Sequence, residues 1–381
     1  MYFDGSYTIM ISARKRTTDA AKFETEMAEM AQETKLRDSN LELYRILLML
    51  LIIAHHYVVN SGLLAQTGPL VTDPTAVRSV FLYLFGAFGK TGINCFLMIT
   101  GYYMCKSRIT LQRFLKVFLE VLFYDIACWI VFVIAGYETF SVRGLLSLFI
   151  PVKNVGQNFV GCFLVFYLFL PFLTILVQNL TQKMHLALLA LTGYMYVVLG
   201  NLPGCSVTMN YVSWYMVIFF MASYLRLYPS PVFFKKGLWA VASLGSLALS
   251  LVSVVICGRF FDAPYMLVSD TNALLAVTNG VTWFLFFKNL RIPYTKWINT
   301  VASTTFGVLL IHANSDAMRR FLWEDLLKNT QAYATDLWWL HAVLSVLGIF
   351  AVCVVIDLLR QCFAEKPAMA FVDKALSRRS S

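Results

Sequence analysis

Arg37-Asp-Ser-Asn-Leu-Glu-Leu-Tyr-Arg45-Ile-Leu-Leu-Met-Leu-Leu-Ile-Ile-Ala-His55-His56-Tyr-Val-Val-Asn60-Ser-Gly62 is the first strongly apolar segment of the chain, and it follows a charged tail. Ser39 followed three residues later by Glu42 reads as a capping box, in which each side chain satisfies a backbone N–H that the first helical turn leaves unpaired. The spacing predicts a membrane-length helix that begins near Leu41. Arg45 and His56 stand eleven residues apart, which at about 100° per residue returns to within roughly 20° of one face. His55 points about 80° away. The rise between Arg45 and His56 is about 16.5 Å, so Arg45 lies near one membrane surface and His56 past the midpoint of the hydrocarbon layer. Ionisable groups at that depth are costly and face the protein interior or a water-filled cavity. His56 is therefore either a structural hydrogen-bonding residue or a functional one, and the intramembrane setting favours function.

Working outward, the composition agrees with a membrane protein. The hydrophobic fraction is 59%, aromatics make up 15%, and only 14% of the 381 residues are charged, well outside the soluble range. No cleavable signal is expected: the tail before the first span is about forty residues long and no small-residue cleavage site follows it. The formal net charge of +10 belongs to loops rather than to a nucleic-acid surface, so nucleic acid is excluded as a partner. Eight cysteines form no metal-type pair and read as small packing residues, and no metal site is expected. Cys205 and Cys257 fall at outer ends, where a disulfide remains an alternative.

The expected fold is an all-α polytopic membrane protein of about ten transmembrane helices. After the first span, apolar stretches run over 88–105, 114–136, 159–178, 185–201, 211–228, 237–257, 270–287, 297–313 and 337–358. Residues 79–87 are apolar but too short for a further crossing, and read as an interfacial or re-entrant piece. Most of the 31 Lys and Arg residues then fall in the tails and even-numbered loops, which places both the N- and C-termini in the cytoplasm. Arg78, Arg143, Lys153, Arg259, Arg319, Arg320 and Lys328 fall outside. The organisation is a charged cytoplasmic tail over 1–40, a membrane domain over 41–360 and a basic cytoplasmic tail over 361–381, with no internal repeat.

Several constellations could carry chemistry. The second span, Gly89-Lys90-Thr-Gly92-Ile-Asn94-Cys-Phe96-Leu-Met-Ile-Thr100-Gly101-Tyr-Tyr-Met-Cys105, has small residues that permit close helix contact and a lysine near its outer end. Lys106, Arg108, Arg113 and Lys116 follow on the cytoplasmic side. They are either positive-inside anchors or a site for a phosphorylated ligand, since guanidinium groups match phosphate oxygens. Glu120 is placed for an i,i+4 pair with Lys116. Asp125, with no such partner on its own helix, could pair with Arg45, Lys90 or a protonated His56. His312 closes the ninth span at the outer surface.

These residues resemble the bacterial membrane acyltransferase family called acyltransferase 3. The resemblance rests on Arg45 and His56 with the Asn40-Leu-Glu-Leu-Tyr-Arg45 lead-in, on Gly89 to Phe96 with Thr100-Gly-Tyr102, on Tyr167 to Pro171-Phe172, on Ala222-Ser-Tyr-Leu-Arg226, and on Gly307 to His312. It implies ten membrane helices, a cytoplasmic acyl-CoA donor and transfer to a hydroxyl of an envelope glycan or a lipid-linked sugar precursor. It also implies that His56 is the catalytic histidine and Arg45 its basic companion, and that Lys106 and Arg108, with Arg113 beside them, lie near the donor; Lys90, Asp125 and His312 are secondary candidates. Four positions depart from the family pattern: Lys106 replaces arginine, Thr100 serine, Leu309 tyrosine and Asn158 an aromatic residue.

Acyl transfer from a thioester needs either a base for the acceptor hydroxyl or a nucleophile to carry the acyl group, and imidazole serves as either. The expected activity is thus that of an O-acyltransferase, an O-acetyltransferase using acetyl-CoA, in the bacterial plasma membrane and surrounded by membrane lipid. No cofactor is held permanently. The chain completes transfer itself or passes the acyl group to a separate extracellular transferase. Two competing readings are a transporter or exporter of glycan or lipid without acyl transfer, and a non-catalytic membrane subunit.

Overall fold

A computed structural model describes residues 38–152, 159–202, 204–205 and 207–377. The charged tail up to Arg37, Lys153, Asn158 and residues 378–381 lie outside the described residues. Among the described residues the structure is all helical.

Among the described residues, seven helical stretches are long and apolar enough to cross a membrane. The first is α1 (Ser39–Val59). A short helix, α2 (Val77–Phe85), turns at Gly86–Phe88 into α3 (Gly89–Met104), and the two form one 28-residue candidate span. Next come α4 (Leu111–Ile134), α5 (Phe159–Asn179) and α6 (Gln182–Gly193), the last extended to Asn201 by tighter and looser turns. Shorter apolar helices α7 (Tyr211–Leu227) and α9 (Leu274–Lys288) flank the 26-residue α8 (Lys236–Phe261).

The predicted ninth span is not continuous: it is two short helices, α10 (Lys296–Ala302) and α11 (Thr305–His312). The break has a local cause. Ser303 and Thr304 turn their hydroxyls back onto the carbonyls of Thr300 and Val301, at 2.7 Å each, and Gln361 donates to the Ser303 carbonyl. Adjacent hydroxyl side chains compete with the helical ladder in this way. The last long helix, α12 (Trp338–Arg360), continues through a looser turn at Gln361–Glu365 into α13 (Lys366–Ser377), so most of the expected basic tail is helical. Pro367, which lacks an N–H, stands just after that turn.

Burial separates the helices into centre and periphery. The α1 window is 61% buried, whereas that of α4 or α8 is 28% and that of residues 182–201 only 11%. Helix α1 packs against α3, α9, α10, α11 and α12. Close approach of α3 needs its glycines: a Cβ on Gly89 would overlap the His55 ring, and one on Gly92 would lie 2.9 Å from Ile52. The peripheral helices turn Phe172, Ile175, Leu191, Val241 and Leu244 outward, an apolar belt suited to lipid.

The start of α1 differs from the capping-box expectation. The helix begins at Ser39, and the Ser39 hydroxyl accepts from the Thr295 N–H and the Asn299 amide instead of capping its own first turn. Asn40 donates to the carbonyls of Phe287, Lys288 and Leu290, and Tyr44 stacks on Phe287 with centroids 4.2 Å apart. Because Ser39 and Asn40 are buried against the α9–α10 connection, tertiary partners take the hydrogen bonds that a surface helix would spend on itself. The Cys205–Cys257 alternative is not realised, since all eight cysteines are free thiols.

Candidate active site

The turn at Gly86–Phe88, the C-terminal half of α1 and the end of α11 converge around two histidines. His56 Nδ1 and His312 Nε2 are 3.0 Å apart, and His312 Nδ1 lies 2.6 Å from the Val308 carbonyl. The chain of contacts fixes the protons. A carbonyl can only accept, so His312 Nδ1 carries the hydrogen and Nε2 of the neutral ring is an acceptor. His56 must then donate from Nδ1, which leaves its Nε2 with an unshared lone pair. Nε2 has no protein partner among the described residues, while His312 is fully buried and the His56 ring keeps partial exposure. A histidine oriented by a second group through one nitrogen and free at the other has the arrangement required of a general base or nucleophile.

Neighbouring residues separate support from chemistry. His55 is buried and bonds through Nδ1 to the Gly86 carbonyl at 2.7 Å, with its ring against Gly89, so it fastens α1 to the turn before α3. Tyr57 bonds His341 at 2.9 Å, and Asn329 donates to the Tyr57 carbonyl. Lys90 donates to the Tyr211 hydroxyl at 2.8 Å with its ammonium 5.5 Å from that ring.

Asp125 accepts from Asn314, two residues past His312, at 3.3 Å; Lys90 and Arg45, two of its expected partners, bond Tyr211 and Glu42, and the third, His56, bonds His312. The expected Glu120–Lys116 pair is also replaced. Glu120 bonds Arg360 at 3.1 Å and Lys116 pairs with Glu365. Glu120 is buried while half of the Lys116 side chain is exposed, so Glu120 turns to the buried Arg360, which also pairs with Glu365, the partner of Lys116. Arg360 also holds Asp357 at 2.7 Å, Tyr124 donates to that carboxylate, and Gly307 of α11 lies so close to it that a Cβ would overlap.

The structure therefore unites His56 with His312, keeps Lys90 and Asp125 at the same end of α1, and leaves Arg45, Lys106, Arg108 and Arg113 at the opposite end. Arg45 pairs with Glu42 at 3.3 Å through one nitrogen. Lys106, Arg108 and Arg113 are exposed, and Arg113 donates to the Arg108 carbonyl. Sequence reasoning missed the link between His56 and His312 because no local signal joins residues 256 positions apart. It also read Arg226 and Lys288 only as inner-face basic residues, although both lie over the Tyr102 ring.

No curated protein and no solved structure matches the chain. The sequence profile of one family, described as an acyltransferase domain, matches residues 38–358, which takes in α1 through nearly all of α12 and every residue of the histidine pair. A multi-helix membrane protein built around an oriented histidine, the chain belongs to the acyltransferase 3 family.

Proposed function

We propose that the protein is an integral membrane O-acyltransferase that moves an acyl group, acetyl being the best fit, from cytoplasmic acyl-CoA to a hydroxyl of a cell-surface polysaccharide or its lipid-linked precursor. The observation that carries this reading is the Val308–His312–His56 relay, which presents one bare imidazole nitrogen within the helical bundle. In the base form of the reaction His56 Nε2 takes the proton of the acceptor hydroxyl as its oxygen attacks the thioester carbonyl. The new C–O bond forms, the C–S bond breaks, and the thiolate leaves to be protonated as free CoA. In the nucleophile form Nε2 first takes the acyl group and then yields it to the hydroxyl. His312 accepts the Nδ1–H bond throughout and strengthens as charge develops on His56. Lys90, held on Tyr211 and next to the Gly89 that packs on His55, is the cation that would favour negative charge developing at this end of the bundle.

The topology that goes with this reading has ten spans, counting the broken α10–α11 as one, with both termini in the cytoplasm and the membrane being the bacterial plasma membrane. Basic-residue placement supports it. Thiol labelling from the outer face of intact cells should then reach a cysteine introduced at Gln331 and not one at Ser230. A separate extracellular transferase remains compatible as a second acyl carrier.

The transporter reading draws on a specific observation, the interruption at Ser303–Thr304, because broken helices recur in transporters. There they come in pairs in related halves, and family membership supports the transferase instead. The deciding experiment is transfer from labelled acetyl-CoA by purified protein to a glycan acceptor. Absence of both transfer and acetyl-CoA hydrolysis, in protein that still exchanges glycan across vesicles, would reverse the order of the two readings.

A further inference from the structure

The inner ends of α3, α7 and α9 meet about one aromatic ring. Arg226, in the last turn of α7, lays its guanidinium 4.6 Å from the centre of Tyr102 and donates to the phenol oxygen at 2.9 Å. Lys288, the last residue of α9, holds its ammonium 5.5 Å from the same ring and 4.3 Å from the ring of Phe234. The two cations repel one another. Neither forms an ion pair with a carboxylate among the described residues. Simple anchoring does not account for this. An anchoring arginine extends its head into water, whereas Arg226 Nε is buried with no hydrogen-bond partner. Ring contacts offset only part of the cost of desolvating a cation, so two cations on one ring, with no carboxylate paired to either among the described residues, leave an unfilled requirement for an anion. Lys106 belongs to the same region, since its charge and that of Arg226 both bear on Cys105.

We propose that Arg226 and Lys288, held by Tyr102, bind the phosphates of the donor, the diphosphate of an adenine-nucleotide thioester. The inference rests on the acyl-CoA reading and names its phosphate site. Spacing supports it. Tyr102 is thirteen residues from Gly89 along α3, a rise of about 19.5 Å, and Gly89 packs on the ring of His55, the neighbour of His56. The extended pantetheine arm that joins diphosphate to sulfur in CoA covers such a gap, so phosphates at Arg226 bring the thioester toward Nε2. Phe234, 57% exposed beside Lys288, stands at the rim where the adenine would emerge. A phospholipid headgroup offers the same phosphate chemistry, and the experiment must separate the two sources.

The test uses the full-length protein in nanodiscs of phosphatidylcholine, titrated with desulfo-CoA, which cannot react. Arg226→Gln and Lys288→Gln should each weaken binding about tenfold and flatten its dependence on salt. S-Acetylpantetheine, which lacks the phosphates, should compete equally well with wild type and variants. Arg226→Lys, which keeps the charge and loses the planar fork, should fall between, and it carries the test should the glutamine variant unfold. Unchanged desulfo-CoA affinity in both glutamine variants, at wild-type thermal midpoints, overturns the proposal while leaving the acyltransferase reading intact. Variants that retain desulfo-CoA but lose bound phosphatidylglycerol in anionic nanodiscs assign the cluster to lipid and overturn it as well. Failure of the wild type to bind desulfo-CoA at all removes the donor reading itself, and this site with it.

Discussion

The two ends of α1 solve opposite problems. At the His56 end, a partly buried histidine is tied to a fully buried one and that one to a main-chain carbonyl through short contacts. At the other end, around Arg45 and Tyr102, aromatic rings share the charges and Tyr103 donates to Asp38 at 2.6 Å. Under the proposed function, orientation is tight where a proton is to move, and the cations stand ready for a polyanion. The difference teaches how one helix would serve two substrates of unlike polarity, with the reactive nitrogen set about 16.5 Å from the charged rim.

That contrast breaks most sharply at His56. His56→Ala should lower transfer by about a thousandfold or more while the protein stays inserted with an unchanged thermal midpoint, measured with labelled acetyl-CoA and a glycan acceptor; full activity would end the catalytic assignment. Next in size is its partner. His312→Ala should cost about 10- to 100-fold in kcat with little change in the donor KM. His312→Gln, whose amide oxygen can still accept the His56 Nδ1–H, should recover much of the loss, and equal damage from the two would make His312 a packing residue only.

His55 sharpens the comparison because it is adjacent in sequence and different in task. His55→Ala should destabilise the fold by about 1–3 kcal/mol through the lost Gly86 contact and the gap against α3, yet keep most of its activity per folded molecule. At the inner end effects should be smaller and should fall on binding. Lys106→Ala with Arg108→Ala should raise the donor KM a few-fold, less than either change at Arg226 or Lys288, because both side chains are exposed. The smallest effect is expected for Arg45→Lys. Arg45 meets Glu42 through one nitrogen rather than a fork, so a lysine replaces it with little loss in turnover assays.

The sequence made legible what is local or periodic. The span of α1, the order of the apolar segments and the separate faces of His55 and His56 all follow from apolar runs and helix geometry. Four features did not. The Ser303–Thr304 break depends on Gln361 as well as on two hydroxyls, so its signal is divided between distant segments. Glu120 looked satisfied by Lys116 because i,i+4 spacing ignores burial, and the true partner, Arg360, is 240 residues away. Arg226 read as topology because positive-inside counting does not ask what lies beneath a cation. Asp357 and Arg360 would be taken for ordinary end-of-span charges until Gly307 is seen packed on the Asp357 carboxylate.

The Arg360 cluster also has a consequence for the order of biosynthesis. Glu120 enters the bilayer with α4, long before the ribosome reaches Arg360, and must wait for α12 before its carboxylate is matched. His56 waits almost as long for His312. The bundle therefore cannot be finished helix by helix from its N-terminus; its last crossing closes ion pairs begun by its third segment and steadies the short helix that delivers the second histidine. Chains stopped at Leu337 should insert, remain sensitive to the membrane proteases that remove unassembled helices, and regain resistance when residues 338–377 are supplied as a separate polypeptide. In a growing chain the histidine pair is thus steadied only when the last helix has been made.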